Sequence, residues 1–195
     1  QLPTTFSFTF SALANTAADP PHPLLVFENN LYIGDGNLLK RMTAVGGTVT
    51  TILTLGTNEF ITALGIDPGT GKMLIATSYG QNASNTIPRI NKVLWYDGVS
   101  SKVSKSMIVE DRITAFHHHQ GQVFVGYGTN IGYLIGSGIQ FLRALTRVAL
   151  DIVELPHKQN FASIGKTMFV VDDTRILAYG QIVAGSPNIW YPFLE

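Results

Sequence analysis

Short hydrophobic runs separated by glycine and asparagine turns recur along this chain. The clearest example is the stretch 24–42, LLVFENNLYIGDGNLLKRM, which holds three apolar segments. Its Asn-Asn dipeptide at 29–30 tolerates positive φ and suits a two-residue turn, while Gly34 and Gly36 mark the next reversal. The pattern therefore predicts a meander of three short antiparallel strands, followed by a fourth, β-branched strand at 48–53.

The same pattern returns three more times. Aligning the four units by their strands and turns places Leu31, Met73, Val123 and Met168 at one position. Repeats of about 40 to 50 residues with four strands each are typical of β-propeller blades, whose two apolar faces must stack on neighbours. We therefore predict an all-β fold, a β-propeller or partial propeller of about four antiparallel meander blades. The predicted blades lie near residues 24–55, 61–109, 113–145 and 161–182.

Two terminal segments fall outside the predicted blades. Residues 1–23 combine an alternating strand, with Phe6, Phe8 and Phe10 on one face, and a proline-rich stretch, which together predict an extended N-terminal arm. Residues 183–195 are interpreted as an aromatic C-terminal tail or the start of a further blade. Because the chain begins with Gln, we expect that its start has been removed or that it is part of a longer polypeptide.

One segment, 139–155, fits two secondary structures. Phe141, Leu145, Val148 and Ile152 are spaced as on one face of a helix. The repeat register, however, requires an outer strand in the first half of the segment. The sequence leaves strand and helix as equal alternatives.

Low charge limits the partners that this chain can have. Only 13% of its residues are charged, against about a quarter in ordinary domains, and its formal net charge is zero. We therefore expect no nucleic-acid partner, because no general attraction to phosphates exists. The absence of cysteine excludes disulfides and thiolate metal sites. No apolar run approaches the roughly 20 residues of a membrane helix, so no membrane span is expected.

The run His117-His118-His119 is the first candidate for chemistry. On a strand, His117 and His119 share a face and could hold a metal ion together. A metal site needs a third and a fourth ligand, and the spacing supplies neither. A polar strand-to-turn segment is the preferred interpretation.

Four aspartates near turns suggest calcium ligands: Asp35, Asp97, Asp172 and Asp173. None of them shows the DxDxDG spacing of a calcium loop. Aspartate beside glycine is also selected by tight turns for its own backbone hydrogen bonds, so turn formation is the preferred interpretation.

Other motifs carry little chemistry. The glycine-rich stretch 126–132 lacks the following helix and the Lys-Ser/Thr pair of a phosphate-binding loop, so a hairpin is preferred. No Gly-x-Ser-x-Gly elbow and no carboxylate pair for acid–base catalysis stands out. We therefore assign no catalytic, cofactor-binding or metal-binding residue and expect no cofactor and no enzymatic activity.

Four aromatic residues, Trp95, Tyr96, Trp190 and Tyr191, could stack on sugars if their rings are exposed. Aromatic residues in propellers more often fill the space between blades. A core or interface position is therefore the preferred interpretation for all four.

Several strings resemble a known group of proteins: NNLYIGDGNLLKRM, MLIATSYG, NKVLWYDG and ITAF…GQVFVGYGTNIGYLIGSG. They are similar to the β-propeller-like structural proteins of tailed phages and uncultured viruses, some of which belong to the tail. The resemblance covers about 24–179. It implies a virion component in a tail nozzle, a fibre or the tail surface, and it implies no active-site residues.

Three functions follow from the pattern, in this order. The first is a non-enzymatic structural subunit of a virus particle, a homo-oligomer around a symmetry axis that contacts other virion proteins. The second is a secreted carbohydrate-binding propeller that uses its tryptophans as platforms, with a host-surface glycan as partner. The third is a propeller hydrolase or lyase, for which the run 117–119 is the only support.

Overall fold

The structure, a computed structural model, describes residues 22–44, 46–79, 90–136, 138–145, 161–172 and 175–194. The regular elements of these residues are strands, arranged in four antiparallel sheets of four strands each. This confirms the predicted all-β, propeller-like fold of four meander blades. Of the predicted N-terminal arm, residues 1–21 lie outside the described part of the chain. No helix long and apolar enough to span a membrane occurs among the residues described.

Each sheet is a simple meander, in which every strand pairs with the next one in sequence. We call the sheets blades 1 to 4. Blade 1 contains β1 (Leu24–Phe27), β2 (Asn30–Asp35), β3 (Leu38–Met42) and β4 (Val49–Thr54). Blade 2 contains β5 (Glu59–Asp67), β6 (Lys72–Tyr79), β7 (Ile90–Tyr96) and β8 (Lys105–Val109). Blade 3 contains β9 (Ile113–His119), β10 (Gln122–Tyr127), β11 (Asn130–Ile135) and β12 (Gly138–Ala144). Blade 4 contains β13 (Phe161–Ile164), β14 (Thr167–Asp172), β15 (Arg175–Gly180) and β16 (Ile189–Leu194).

The first tight turn lies one residue earlier than the sequence pattern predicts. Glu28 and Asn29 have positive φ, at 47° and 60°. Asn30 already belongs to β2, where it pairs with Phe27. Its side-chain Nδ2 donates a hydrogen bond of 2.8 Å to the carbonyl oxygen of Glu28, which stabilises this turn.

The C-terminal segment corrects one prediction. Residues 189–194 are neither a tail nor the start of a further blade, because β16 pairs with β15 and completes blade 4. The predicted blade stopped at 182 because an eight-residue connection separates these two strands. This pairing provides hydrogen-bond partners for backbone N–H and C=O groups of β15 that would otherwise be unpaired along its edge.

The ambiguous segment 139–155 begins as a strand. Residues 138–144 form β12, the outer strand of blade 3, and the next residue, Leu145, is buried between blades 3 and 4. Phe141 is exposed although its spacing suggested the buried face of a helix. Backbone pairing with β11 therefore overrides the helical spacing. Residues 146–160 lie outside the described part of the chain.

In the described part of the chain, the hydrophobic core forms three clusters, one between each pair of consecutive blades. The first joins Leu25, Tyr32 and Leu39 of blade 1 to Leu64, Met73 and Tyr96 of blade 2. The second joins Leu74, Val93 and Trp95 of blade 2 to Phe116, Val123 and Val125 of blade 3. The third joins Phe124 and Ile131 of blade 3 to Phe161, Met168 and Leu177 of blade 4.

The second strands of the blades show that the stack has a direction. The second residue of this strand packs on the preceding blade in blades 2, 3 and 4, where it is Met73, Val123 and Met168. The third residue packs on the following blade in blades 1, 2 and 3, where it is Tyr32, Leu74 and Phe124. Alternating side chains on a strand point to opposite faces, so each blade has one preceding and one following face.

Candidate functional site

The histidine run lies on the first strand of blade 3 and contacts the first strand of blade 4. His117 and His119 alternate with His118 on β9 and therefore share one face. His117 Nε2 lies 2.7 Å and His119 Nδ1 lies 2.9 Å from the Oγ atom of Ser163. The two rings thus converge on one hydroxyl group of the neighbouring blade.

Aromatic packing holds both rings in place. His117 stacks on Phe161 with 5.5 Å between ring centroids, and His119 meets the edge of Phe124 at 6.0 Å. His119 is only 4% exposed. Burial lowers the pKa of His119, and the charge of His118 lowers it further. A hydrogen bond to the Lys166 carbonyl raises the pKa and partly offsets this lowering. Burial therefore favours the neutral form of His119.

This arrangement joins two blades. The part of the chain that the structure describes contains no group of three or more His, Cys, Asp or Glu side chains able to hold a metal ion. Ser163 is a hydrogen-bond partner of both histidines that the sequence did not reveal. It lies 44 residues after His119, and no spacing rule connects the two positions.

The three described aspartates that were weighed as calcium ligands, Asp35, Asp97 and Asp172, have partners within the protein. Asp35 forms an ion pair with Lys40 and lies 3.6 Å from His22 Nδ1. Asp172 accepts a hydrogen bond of 2.9 Å from Arg175. These two ion pairs were not predicted.

Asp97 has the role that the turn interpretation predicts. Its Oδ1 accepts hydrogen bonds from the backbone N–H groups of Val99 and Ser100, at 2.9 and 2.8 Å. These bonds and one from the Ser100 hydroxyl lower the pKa of Asp97. Asp173 lies outside the described residues.

The glycine-rich stretch 126–132 forms the hairpin between β10 and β11, as predicted. Gly128 occupies the turn with φ of +52°. A Cβ atom on Gly132 would lie 2.5 Å from the backbone oxygen of Gln140, so the neighbouring strand requires glycine there. No phosphate-binding loop is present in this stretch, because a strand rather than a helix follows the turn.

The tryptophans do not offer free rings. Trp95 is 4% exposed in the cluster between blades 2 and 3, and Tyr96 is buried between blades 1 and 2. Trp190 packs on Tyr179 with 5.0 Å between ring centroids, in the cluster between blades 3 and 4. The core interpretation is therefore correct for these three residues. Tyr191 is half-buried on the opposite face of blade 4.

A cavity of about 420 Å³ lies between blades 2 and 3. We call it the blade 2–3 groove. Turn residues 68–70 and 121 form part of it, together with Gly136, which follows β11. Trp95 and Tyr133 also line it, but the Trp95 ring is covered by Lys105 and the Tyr133 ring packs on Phe124 in the cluster between blades 3 and 4. Residues from three separate turns of two blades therefore meet here, which sequence reasoning did not foresee.

Asp67, the acidic residue of the groove, is hydrogen-bonded to other groups of the protein. Asp67 Oδ2 accepts hydrogen bonds of 2.8 Å from Trp95 Nε1 and from the Thr70 hydroxyl, and Oδ1 accepts one from the Gly69 N–H at 2.9 Å. Burial acts to raise the pKa of Asp67, but these hydrogen bonds outweigh it and leave the pKa below its ordinary value. Asp67 is therefore a charged structural residue.

The basic residues of the groove have neutral partners. Lys72 Nζ donates to the Ser104 Oγ at 2.9 Å, and Lys105 Nζ donates to the Gly136 carbonyl at 3.0 Å. Lys105 Nζ also lies 4.2 Å from the centroid of the Trp95 ring. Among the residues described, no carboxylate lies within ion-pair distance of either ammonium group.

Comparison with known proteins leaves the family open. No family model matches the chain, and no curated protein matches it. Among matching solved structures, a candidate exo-beta-1,3-galactanase from Bifidobacterium bifidum s17 is 13% identical, with a TM-score of 0.43 over 87% of this chain and 65% of that one. The extracellular domain of a candidate hybrid two-component system from B. thetaiotaomicron is 12% identical, with a TM-score of 0.27 over 86% of this chain and 29% of that one. The chain spans less than two thirds of the length of either structure, and at these TM-scores neither similarity informs its activity.

Proposed function

We propose that this chain is a non-enzymatic structural subunit that assembles by stacking blade 4 of one copy on blade 1 of the next. The supporting observation is the directional stack. Phe169 is the third residue of β14, the position that packs on a following blade in blades 1 to 3. No following blade covers it within the described residues.

The following face of blade 4 is strongly apolar. Cross-strand pairing places Ile164, Val171 and Ile189 on the same face as Phe169, and Phe193 contacts Phe169 with 4.9 Å between ring centroids. Ile164 is 73% exposed and Phe193 is 55% exposed. A contiguous apolar face of this kind marks an interaction surface.

The preceding face of blade 1 is the complementary surface. Leu31 is the second residue of β2, which corresponds to Met73, Val123 and Met168 in the other blades. Its cross-strand neighbour Val26 is 68% exposed. Contact between the two end faces would continue the packing already seen between consecutive blades.

A second copy of this chain is the occupant that fits both faces. The two faces differ from each other, so the contact is head-to-tail and repeats around an axis until a ring closes. The 13% content of charged residues fits a chain with large subunit contacts. We place this ring in a virus particle, in a tail nozzle, a fibre or the tail surface, because the blade strings resemble structural proteins of tailed phages.

Two charged variants test the head-to-tail contact. Val26→Glu places a charge on the preceding face of blade 1, and Ile164→Glu places a charge on the following face of blade 4. Val99→Glu is the control, because it alters an exposed valine outside both faces. Sedimentation velocity should show oligomers for the unmodified chain and for Val99→Glu, and monomers for each of the first two variants. A mixture of Val26→Glu and Ile164→Glu should form dimers, because each retains the face that the other lacks.

A full-length protein that remains monomeric at high concentration would overturn this assembly. Further blades of the same polypeptide would then cover the two faces. The virion setting has its own test, mass spectrometry of purified particles. Absence of the protein from particles whose other structural proteins are detected would refute that setting.

The carbohydrate-binding alternative with Trp95 and Trp190 as platforms has weaker support. Trp95 lies in the core beneath Lys105, and Trp190 is half-buried against Tyr179. Neither ring is presented as a free stacking surface.

A further inference from the structure

We propose that residues 43–48, which connect the third and fourth strands of blade 1, pack against residues 164–167, the first turn of blade 4, in a neighbouring copy. We call these two segments the blade 1 loop and the blade 4 turn. This contact rests on the proposed head-to-tail assembly, and it adds to that assembly the two turns that meet beside the strand faces.

The contact between blades 1 and 2 within one copy shows how such segments meet. Gly98 lies in the connection between the third and fourth strands of blade 2, and its carbonyl oxygen accepts a hydrogen bond of 3.4 Å from the Tyr32 hydroxyl of blade 1. A Cβ atom on Gly98 would lie 3.3 Å from the ring of Phe27, the last residue before the first turn of blade 1. The connection of the later blade therefore reaches back to the first turn of the earlier one.

The next two pairs of blades repeat this arrangement. Gly136, in the corresponding connection of blade 3, accepts a hydrogen bond of 3.0 Å from Lys105 of blade 2 and lines the blade 2–3 groove together with turn residues 68–70. Asn188, in the corresponding connection of blade 4, donates a hydrogen bond of 3.5 Å to Gln120 in the first turn of blade 3. All three interfaces therefore bring the same two kinds of segment together, although their sequences differ.

Both segments are open at the two ends of one copy. The Gly47 N–H donates a hydrogen bond of 2.9 Å to the Ala44 carbonyl, which closes the blade 1 loop, and a Cβ atom on exposed Gly46 would meet no atom within 4 Å. In the blade 4 turn, Ile164 is 73% exposed, and a Cβ atom on Gly165 would also meet no atom within 4 Å. Neither segment contacts, among the described residues, the partner that its equivalents have inside the chain.

A second copy supplies both missing partners at once. When blade 4 of one copy stacks on blade 1 of the next, the blade 1 loop takes the place that Gly98 and its equivalents take between consecutive blades. The loop sequence, TAVGGT, contains no charged residue, and the blade 4 turn contains one, Lys166. No like charges therefore oppose each other, and the small loop residues permit a close approach.

Disulfide trapping tests this contact directly, because the chain contains no cysteine. Ala44→Cys and Lys166→Cys variants with different affinity tags should be mixed and oxidised, and peptide mass spectrometry should identify the linkage. A disulfide forms only where the two Cα atoms come within about 7 Å. The mixed disulfide should form about tenfold faster than in a control mixture of Ala44→Cys with Val99→Cys, since Val99 lies in an exposed connection outside the contact.

A charged variant provides an independent measurement. Ala44→Glu should weaken self-association about tenfold in sedimentation velocity, because the contact would bury an unpaired carboxylate. Val99→Glu should leave self-association unchanged. Circular dichroism verifies that both variants are folded.

The outcomes separate this contact from the assembly on which it rests. If the unmodified chain forms oligomers but the disulfide between positions 44 and 166 forms no faster than the control, the contact is refuted and the head-to-tail assembly stands. Unchanged self-association of folded Ala44→Glu leads to the same conclusion. An unmodified chain that stays monomeric and forms no such disulfide refutes the assembly together with the contact.

Discussion

Gly65 of β5 lies so close to Phe116 of β9 that a Cβ atom on the glycine would be 2.5 Å from the Cβ atom of the phenylalanine. The first strands of blades 2 and 3 therefore approach nearly to backbone contact. One blade earlier, a Cβ atom on Gly34 of β2, the second strand of blade 1, would lie 2.7 Å from the Cγ2 atom of Ile61 of β5. Glycine at these positions allows neighbouring blades to stack closely.

Gly65→Ala should destabilise the protein by about 2 kcal/mol, because the added methyl group cannot rotate away from the Phe116 Cβ atom. Urea unfolding followed by tryptophan fluorescence measures the change. Gly138→Ala is the matched control, since a Cβ atom there meets no atom within 4 Å. Equal stability of the two variants would show that the inner strands can separate without cost.

Trp95→Phe should destabilise the protein by about 1.5 kcal/mol more than Trp190→Phe, because a hydrogen bond to a charged group is lost in only one of them. The indole N–H of Trp95 donates to Asp67 at 2.8 Å. The buried N–H of Trp190 has no acceptor among the described residues. Thermal and urea unfolding of both variants provide the comparison, and an equal loss in both would contradict the assigned role of Asp67.

Acidification should weaken the contact between blades 3 and 4 through His119. Its pKa in the folded protein is below the ordinary value of 6.5, so the unfolded chain binds the proton more readily. The stability that neutral His119 provides is present above pH 6.5 and is lost as the pH falls through the lowered folded-state pKa.

This pH effect is measured by urea unfolding at a series of pH values between 7 and 5. The unmodified chain should lose stability more steeply than His119→Asn over this range. His118→Asn, which alters the exposed neighbour, should keep the steep dependence. Identical slopes for the unmodified chain and His119→Asn would exclude His119 as the responsible group.

Calcium should not stabilise the described blades. The carboxylates of Asp35 and Asp172 are engaged by Lys40 and Arg175, and Asp97 is engaged by backbone N–H groups of its own turn. Millimolar calcium and its removal by a chelator should therefore give the same melting temperature in differential scanning calorimetry. A higher melting temperature in calcium, but not in magnesium, would reveal a calcium site that these contacts do not explain.

The sequence predicted the groove less well than the blades. Trp95 was correctly assigned to the space between blades, because large aromatic residues in a β-meander usually fill that space. The set of residues that line the groove could not be inferred from the sequence, because Lys72, Lys105 and Gly136 come from three different hairpins. Ser163 was missed for the same reason, since its contact with His119 joins two blades.

The sequence by itself determined most of the strands and turns and the four-blade repeat of the described residues, because alternation and turn residues act over a few neighbouring positions. It also placed Leu31, Met73, Val123 and Met168 in register. Only the tertiary structure decided that β16 completes blade 4, that β12 is a strand despite helical spacing, and which polar groups meet between blades. These features depend on stacking and pairing between distant segments, for which local residue patterns carry no signal.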